Sequence, residues 1–164
     1  MLFRSNLVAA GGVLDLGNLQ FVRTGTVSFT GGNVQSGTIS NSTVAFDGQS
    51  GTVSATLAGS SGLTKTGAGT LTLSGSNTYS GNTTVSAGIL SITSTSALPG
   101  WNTAGRFSVA SGAILAVGDG VANADVTSLV ATGNFAAGSS LGFEIGRATR
   151  LNSSHLVISY AVFC

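Results

Sequence analysis

Apolar residues along this chain come in pairs two positions apart: Leu14/Leu16, Val27/Phe29, Val44/Phe46, Leu71/Leu73, Leu90/Ile92, Phe107/Val109 and Leu115/Val117, with Val53/Leu57 at twice that spacing. A period of two places both members on one face of a strand. Between the pairs stand turn-formers such as Gly31-Gly32-Asn33, Gly48-Gln49-Ser50 and Ser74-Gly75-Ser76-Asn77. Successive pairs are too far apart for two-residue hairpins, so each strand is expected to return parallel to its predecessor. Coils of about 20 residues stacked about 4.8 Å apart would give roughly seven rungs and a rod of about 35 Å. One such coil cannot bury its apolar side alone, which predicts a solenoid. The handedness of parallel crossovers makes the expected fold class all-β, a right-handed parallel β-helix. An antiparallel sandwich is the competitor, but clear hairpin dipeptides are scarce: Asp47-Gly48 and Asp119-Gly120. Helical spacing occurs only near the end, at Val126, Leu129 and Val130, and predicts a short helix or lateral excursion over 124–131 with Asn123 as its cap.

Composition narrows the class further. Of 164 residues, 42% are hydrophobic, 25 are Gly, one is Pro and 7% are charged, with a mean hydropathy of +0.43. Disorder needs lower hydrophobicity or higher net charge, and collagen needs a strict Gly period with abundant Pro. Thr, Ser and Gly interrupt every apolar run before the ~18 residues that spanning requires, so no membrane insertion is expected. A net charge of +1 supplies no basic field, and no nucleic-acid partner is expected.

Both ends read as foreign to the rest. Leu2-Phe3-Arg4-Ser5 back-translates to CTCTTCCGATCT, and Thr149 to Cys164 back-translates to ACACGTCTGAACTCCAGTCAC, a gap, and ATCTCGTATGCCGTCTTCTGC. These resemble the two arms of a short-read sequencing adapter, and Ile145-Gly146-Arg147 resembles its first bases. Residues 1–5 and 145–164 are therefore expected to be adapter-like scars around a native stretch, 6–144. Setting them aside removes His155, Tyr160 and Cys164, and the stretch keeps Arg23, Lys65 and Arg106 against five acids, a formal charge of −2. Lacking cysteine, it suits an exported protein.

Few residues offer chemistry. Asp119 and Asp125 are the closely spaced acids that a polysaccharide-cleaving β-helix would need, but each sits where Asp ordinarily serves a turn or helix start. Residues 6–144 hold no His or Cys and no calcium-loop pattern, so neither a metal nor a His-based triad is expected. Gly67-Ala68-Gly69 lacks the strand-to-helix context of a phosphate loop and reads as a turn. Trp101, following Pro99-Gly100, is expected in a loop as an exposed contact residue, whereas Tyr79 is expected to pack over a turn. Asn77 is expected to join a stacked amide ladder inside the rod.

The stretch Gly62 to Ile92, GLTKTGAGTLTLSGSNTYSGNTTVSAGILSI, resembles the autotransporter-associated β-strand repeat, also called the passenger-associated transport repeat. Lys65, Gly67, Gly69, Leu71, Leu73, Gly75, Asn77, Tyr79, Gly81, Thr84, Val85, Gly88 and Leu90 stand where that pattern expects them, with Ile92 closing the segment. The resemblance implies a β-helical passenger on the surface of, or secreted by, a Gram-negative-type bacterium, exported across its outer membrane. It also implies a β-barrel translocator elsewhere in the same polypeptide. No catalytic residue or cofactor attaches to the repeat, so a non-enzymatic stalk is expected. Leu71, Leu73, Val85, Leu90 and Ile92 would line its interior, and Gly67, Gly69, Gly75, Gly81 and Gly88 would form its turns. Adhesion to glycans or a host surface through the lateral face at Trp101 is the alternative function, and a polysaccharide-active enzyme a further one.

Overall fold

The computed structural model describes residues 2–3, 7–144 and 161–162. The expected flanks thus lie outside the described residues, apart from two dipeptides. In chain order the strands are β1 (Leu2–Phe3), β2 (Leu7–Arg23), β3 (Val27–Asn41), β4 (Phe46–Val53) and β5 (Thr56–Ala58). The shorter β6 (Leu63–Lys65), β7 (Thr70–Leu73), β8 (Thr83–Val85) and β9 (Ile89–Ser94) follow. After a 3-10 turn at Thr95–Ala97 come β10 (Phe107–Val109), β11 (Ile114–Gly120), helix α1 (Asn123–Ala131), β12 (Ser140–Glu144) and β13 (Ala161–Val162).

Every ladder from β1 to β12 is parallel, and the chain winds as a β-solenoid of about five turns. That excludes the sandwich. Only β13 runs antiparallel, against Ser140–Leu141 of β12. The coils are unequal in length: Phe46 to Leu63 takes 17 residues, whereas Thr83 to Phe107 takes 24.

Stacked registers form the interior. One column runs Phe46, Leu63, Thr83, Phe107, and its neighbour runs Phe29, Gly48, Lys65, Val85, Val109. On the second face Leu71, Leu90, Leu115 and Leu141 align, beside Val53, Leu73, Ile92, Val117 and Phe143. Nearly all are buried, and each large aliphatic removed from water contributes about 1.5–3 kcal/mol. Phe29 stacks on Phe46 at 6.3 Å between ring centroids, and Tyr79 tilts against Phe46 at the same distance. The third face is strand only in the first coils, where Phe21, Ile39 and Leu57 align on β2, β3 and β5. Below them, side chains and loop hydrogen bonds take over.

Several local expectations change. Asp47-Gly48 and Asp119-Gly120 are not hairpin turns; they lie inside β4 and β11, paired to parallel neighbours. Gly31-Gly32 is a corner within β3, where the register with β4 shifts but the ladder continues. Val44 does not share the face of Phe46: it is exposed in the turn before β4. The helix at 123–131 exists, but Asn123 does not cap it. Ala122, in extended backbone, is the cap residue, its carbonyl accepting the N–H groups of Asp125 and Val126, and no side chain supplies a capping bond. Asp125 in the first turn instead places a negative charge at the positive end of the helix.

Candidate functional site

The sequence between Leu63 and Ile92 folds into two half-coils laid on each other. β6 stacks on β8 with Leu63 over Thr83 and Lys65 over Val85, and β7 stacks on β9 with Leu71 over Leu90 and Leu73 over Ile92. The segment thus contains both partners of two ladders, joined by an irregular third face at 74–82. Leu71, Leu73, Val85, Leu90 and Ile92 are fully buried.

The glycines sit at corners where successive coils approach most closely. A Cβ on Gly69 would lie 2.9 Å from the Ser50 Cβ, and one on Gly67 3.2 Å from the Gln49 Cβ. On Gly75 it would press into the carbonyl oxygen of Ala55, and on Gly81 into the backbone nitrogen of Gly62. Gly88 alone of the five adopts left-handed backbone, at φ 65°. Contact between coils, rather than backbone freedom, therefore explains the other four.

Four polar groups are drawn into this apolar frame. Lys65 alternates inward with Leu63 and is fully buried. Its Nζ donates to the carbonyl of Gly67 on its own corner and to that of Ala87, one coil on, at 3.1 Å. Burial pulls the Lys65 ammonium below its ordinary pKa, partly opposed by the negative charge of Asp47. Asp47 is only half-buried; burial pushes its carboxyl up, but hydrogen bonds from Gln49, Thr66 and Ser28 and the charge of Lys65 outweigh this and hold it below the usual value. Gln49 Nε2 donates to it at 2.9 Å and the Thr66 hydroxyl at 2.7 Å.

Asn77 stands in for the missing strand on the third face. Its Oδ1 accepts the Leu57 N–H at 2.8 Å and its Nδ2 donates to the Ala97 carbonyl at 2.7 Å, bridging the coils above and below. Its amide pairs with backbone on both sides, so the expected amide ladder is replaced by a single clamp. Tyr79 does not pack over a turn: it lies in the core, 1% exposed, and its hydroxyl shares a hydrogen bond of 2.6 Å with the buried Thr83. Burial pushes its phenol up to about 12.

The remaining candidates are scattered. Trp101 is half-buried and packed against the core, because its loop is pinned from below by Asn134, which accepts from Gly105 N at 2.8 Å and donates to Thr103 O at 3.0 Å. Two surface depressions lie nearby, one of about 490 Å³ around Phe107 and Phe135 and one of about 260 Å³ around Asp119, Asn123 and Phe143; neither is lined by Trp101. Asp119 is exposed on the rim of the smaller one, whereas Asp125 is half-buried in α1 and does not line it. Among the described residues no three His, Cys, Asp or Glu side chains converge as a metal site would require.

Residues 63–92 match the passenger-associated-transport-repeat family model. This chain carries an autotransporter passenger repeat. The boundaries of the match coincide with the start of β6 and the inward-facing Ile92 of β9, so the repeat is the self-stacked pair of half-coils described above. Neither a curated protein nor a solved structure matches the chain. The sequence places Lys65, Asn77 and Tyr79 in the repeat, with an amide ladder expected of Asn77 and turn packing of Tyr79, but it does not mark Asp47 or Thr83 as their neighbours. The alternation of Leu63 with Lys65 was the one signal that could have shown a lysine facing inward.

Proposed function

We propose that residues 6–144 form a stalk segment of an autotransporter-like passenger, displayed on or secreted from a Gram-negative-type cell, and that the repeat helps the passenger fold as it emerges. A β-barrel translocator in the same full-length polypeptide would complete the export machinery. No helix of the described residues is long and apolar enough to cross a membrane.

The observation that carries the proposal is that each strand of the first half-coil finds its parallel partner about 20 residues on, within the repeat itself. Such closure is short in sequence, so a repeat can order as soon as 63–92 is outside the membrane and template its neighbours. A folded rung cannot slip back through a narrow pore, which makes folding rectify export. The role is mechanical and assigns no reaction to any side chain.

The test places the 164-residue chain between a signal peptide and a heterologous autotransporter barrel and measures protease-resistant surface protein. Leu71→Ala is expected to lower the surface yield several-fold relative to the parent chain, and an exposed control, Val13→Ala, to leave it unchanged. Equal surface yields for a variant shown to be unfolded in isolation would overturn the role in export.

A further inference from the structure

We propose that two buried polar side chains, Lys65 and Tyr79, set the register in which the second half of the repeat is laid on the first. The strand they align, β8, is poorly patterned. From Gly81 to Gly88 the chain reads Gly-Asn-Thr-Thr-Val-Ser-Ala-Gly, and Val85 is its one branched apolar residue. Thr83 points inward and Thr84 outward, so a slip by one residue exchanges threonine for threonine. A slip by two residues keeps the alternation and brings Gly81 and Thr83, or Val85 and Ala87, beneath Leu63 and Lys65. Strands that are polar on both faces or rich in glycine specify their pairing poorly.

Neither the corners nor the backbone ladder supplies what the pattern lacks. Glycine corners in this rod absorb shifts: β2 changes register on β3 between Ala10 and Val13 and again between Asp15 and Leu19, and β11 shifts on β9 between Val117 and Gly120. Backbone bonds such as Leu63 N to Asn82 O and Ser86 N to Lys65 O would be remade with new partners after a slip. The neighbouring β9, by contrast, is fixed by Leu90 and Ile92 packed on Leu71 and Leu73.

The two side chains do choose. At one end of β8 the Tyr79 hydroxyl meets the Thr83 hydroxyl at 2.6 Å, with the ring held against Phe46. At the other end Lys65 Nζ donates to the Ala87 carbonyl at 3.1 Å while Gly67, on its own corner, accepts a second bond. Lys65, Tyr79 and Thr83 are at most 1% exposed, so water does not stand ready to replace a lost partner. Moving β8 by one or two residues takes Thr83 from the phenol and the Ala87 carbonyl from the ammonium, and a buried charge short of its partners is heavily penalised. An apolar pair at these positions would penalise no wrong alignment. Fixing register is the best-attested use of buried polar groups in stacked helices, and here the same physics acts between stacked strands.

Nuclear magnetic resonance on the isotope-labelled 164-residue chain tests this, independently of any role in export. The parent should show one set of amide signals for residues 81–88 and a contact between the outward side chains of Thr64 and Thr84. Lys65→Met combined with Tyr79→Phe should keep the circular dichroism spectrum yet show a second set for those residues, in about a tenth of the molecules or more, with Thr64 meeting a residue other than Thr84. Val85→Ala weakens the apolar packing and keeps both polar contacts, so it should lower the urea midpoint and leave a single set. A single set with the native Thr64 contact in the double variant would overturn the proposal. So would failure of that variant to fold, which would make the pair a source of stability rather than of alignment. Two sets in Val85→Ala would overturn it as well, by assigning the register to packing.

Discussion

The first two coils and the repeat coils are built on opposite plans. β2 and β3 run 17 and 15 residues with backbone ladders passing through every corner, yet Val13, Leu19 and Val22 face solvent and the glycine corners break the register repeatedly. In the repeat, strands of three or four residues are the rule, yet Leu63, Leu71, Leu73, Val85, Leu90 and Ile92 are completely enclosed. The exposure belongs to β2 and not to strand length, since the equally long β3 encloses Val27, Phe29, Val34 and Ile39. Where strands shorten, side chains such as Asn77 and Lys65 take over the hydrogen bonding between coils and the core closes around them. Stability in this rod should follow enclosure and corner chemistry rather than strand length.

The largest test of that contrast compares equal truncations in the two regions. Leu71→Ala removes a fully buried side chain between Gly51 and Leu90 of the adjacent coils and should cost about 2–5 kcal/mol in urea unfolding. Leu19→Ala in β2, already mostly exposed, should cost less than about 0.5 kcal/mol. Equal losses would show that the long strands matter as much as the packed ones.

Next in size is the third face. Asn77→Ala leaves the Leu57 N–H and the Ala97 carbonyl without their buried partner, at about 1–3 kcal/mol for the stranded groups. Hydrogen exchange should report where the damage goes, with the Leu57 amide losing protection first. Asn77→Asp should be no better at neutral pH, since a carboxylate cannot donate to Ala97. Wild-type stability in the alanine variant would mean that water replaces the clamp at no cost.

These polar clamps are also where sequence reasoning stopped short. Period-two pairs locate β7, β9, β10 and β11 well, because burial on one face leaves a direct imprint on the spacing of apolar residues, whereas β6 and β8 each carry a polar residue, Lys65 and Thr83, at an inward position and show no such pair. Gly31-Gly32 and Gly48 read as chain reversals, since a glycine turn and a glycine corner look alike until the ladder on either side is seen. Asn123 was a plausible cap by residue type, but the extended Ala122 decides where the helix begins. Tyr79 lies on an alternation that continues past β7, with Leu71, Leu73, Gly75, Asn77 and Tyr79 inward and Ser74, Ser76, Thr78 and Ser80 exposed, but without large apolar residues at 75 and 77 it does not show as a period-two pair. Contacts made across 20 residues of coil, such as those of Asn77, leave no local pattern at all.

The core phenol gives a pH test of intermediate size. Tyr79 titrates at about 12 in the folded rod against an ordinary 10.0, so its contribution is intact below pH 10 and is lost as pH rises through about 12. Two pH units correspond to about 2–3 kcal/mol at most. Urea unfolding from pH 9 to 12 should show this decline, and Tyr79→Phe should flatten it while losing about 1 kcal/mol at neutral pH with the Thr83 bond. An unchanged alkaline slope in the phenylalanine variant would place the titrating group elsewhere.

The smallest expected effect lies at the boundary between the two regions, where Asp47 of β4 meets Thr66 and Lys65 of the repeat. Its folded carboxyl lies below the ordinary 3.8, so the stability it contributes is present above that value and is lost as pH falls through the lower, folded one. Lys65 has the same sign on the alkaline side: its pKa falls below 10.5 on folding, so stability rises with pH through that window and the ammonium is the costlier form to enclose. Asp47→Asn keeps the shape but removes the charge. It should flatten the acid limb by only a few tenths of a kcal/mol, since the group is half solvated. It should also lower the Lys65 pKa further, because the one charge that favours its ammonium is gone, and titration of an amine-labelled sample by nuclear magnetic resonance would read that shift directly. A Lys65 pKa that stays put or rises in Asp47→Asn would mean that the corner carbonyls of Gly67 and Ala87 alone set its protonation, and that the upper coils and the repeat are joined by packing without any electrostatic coupling.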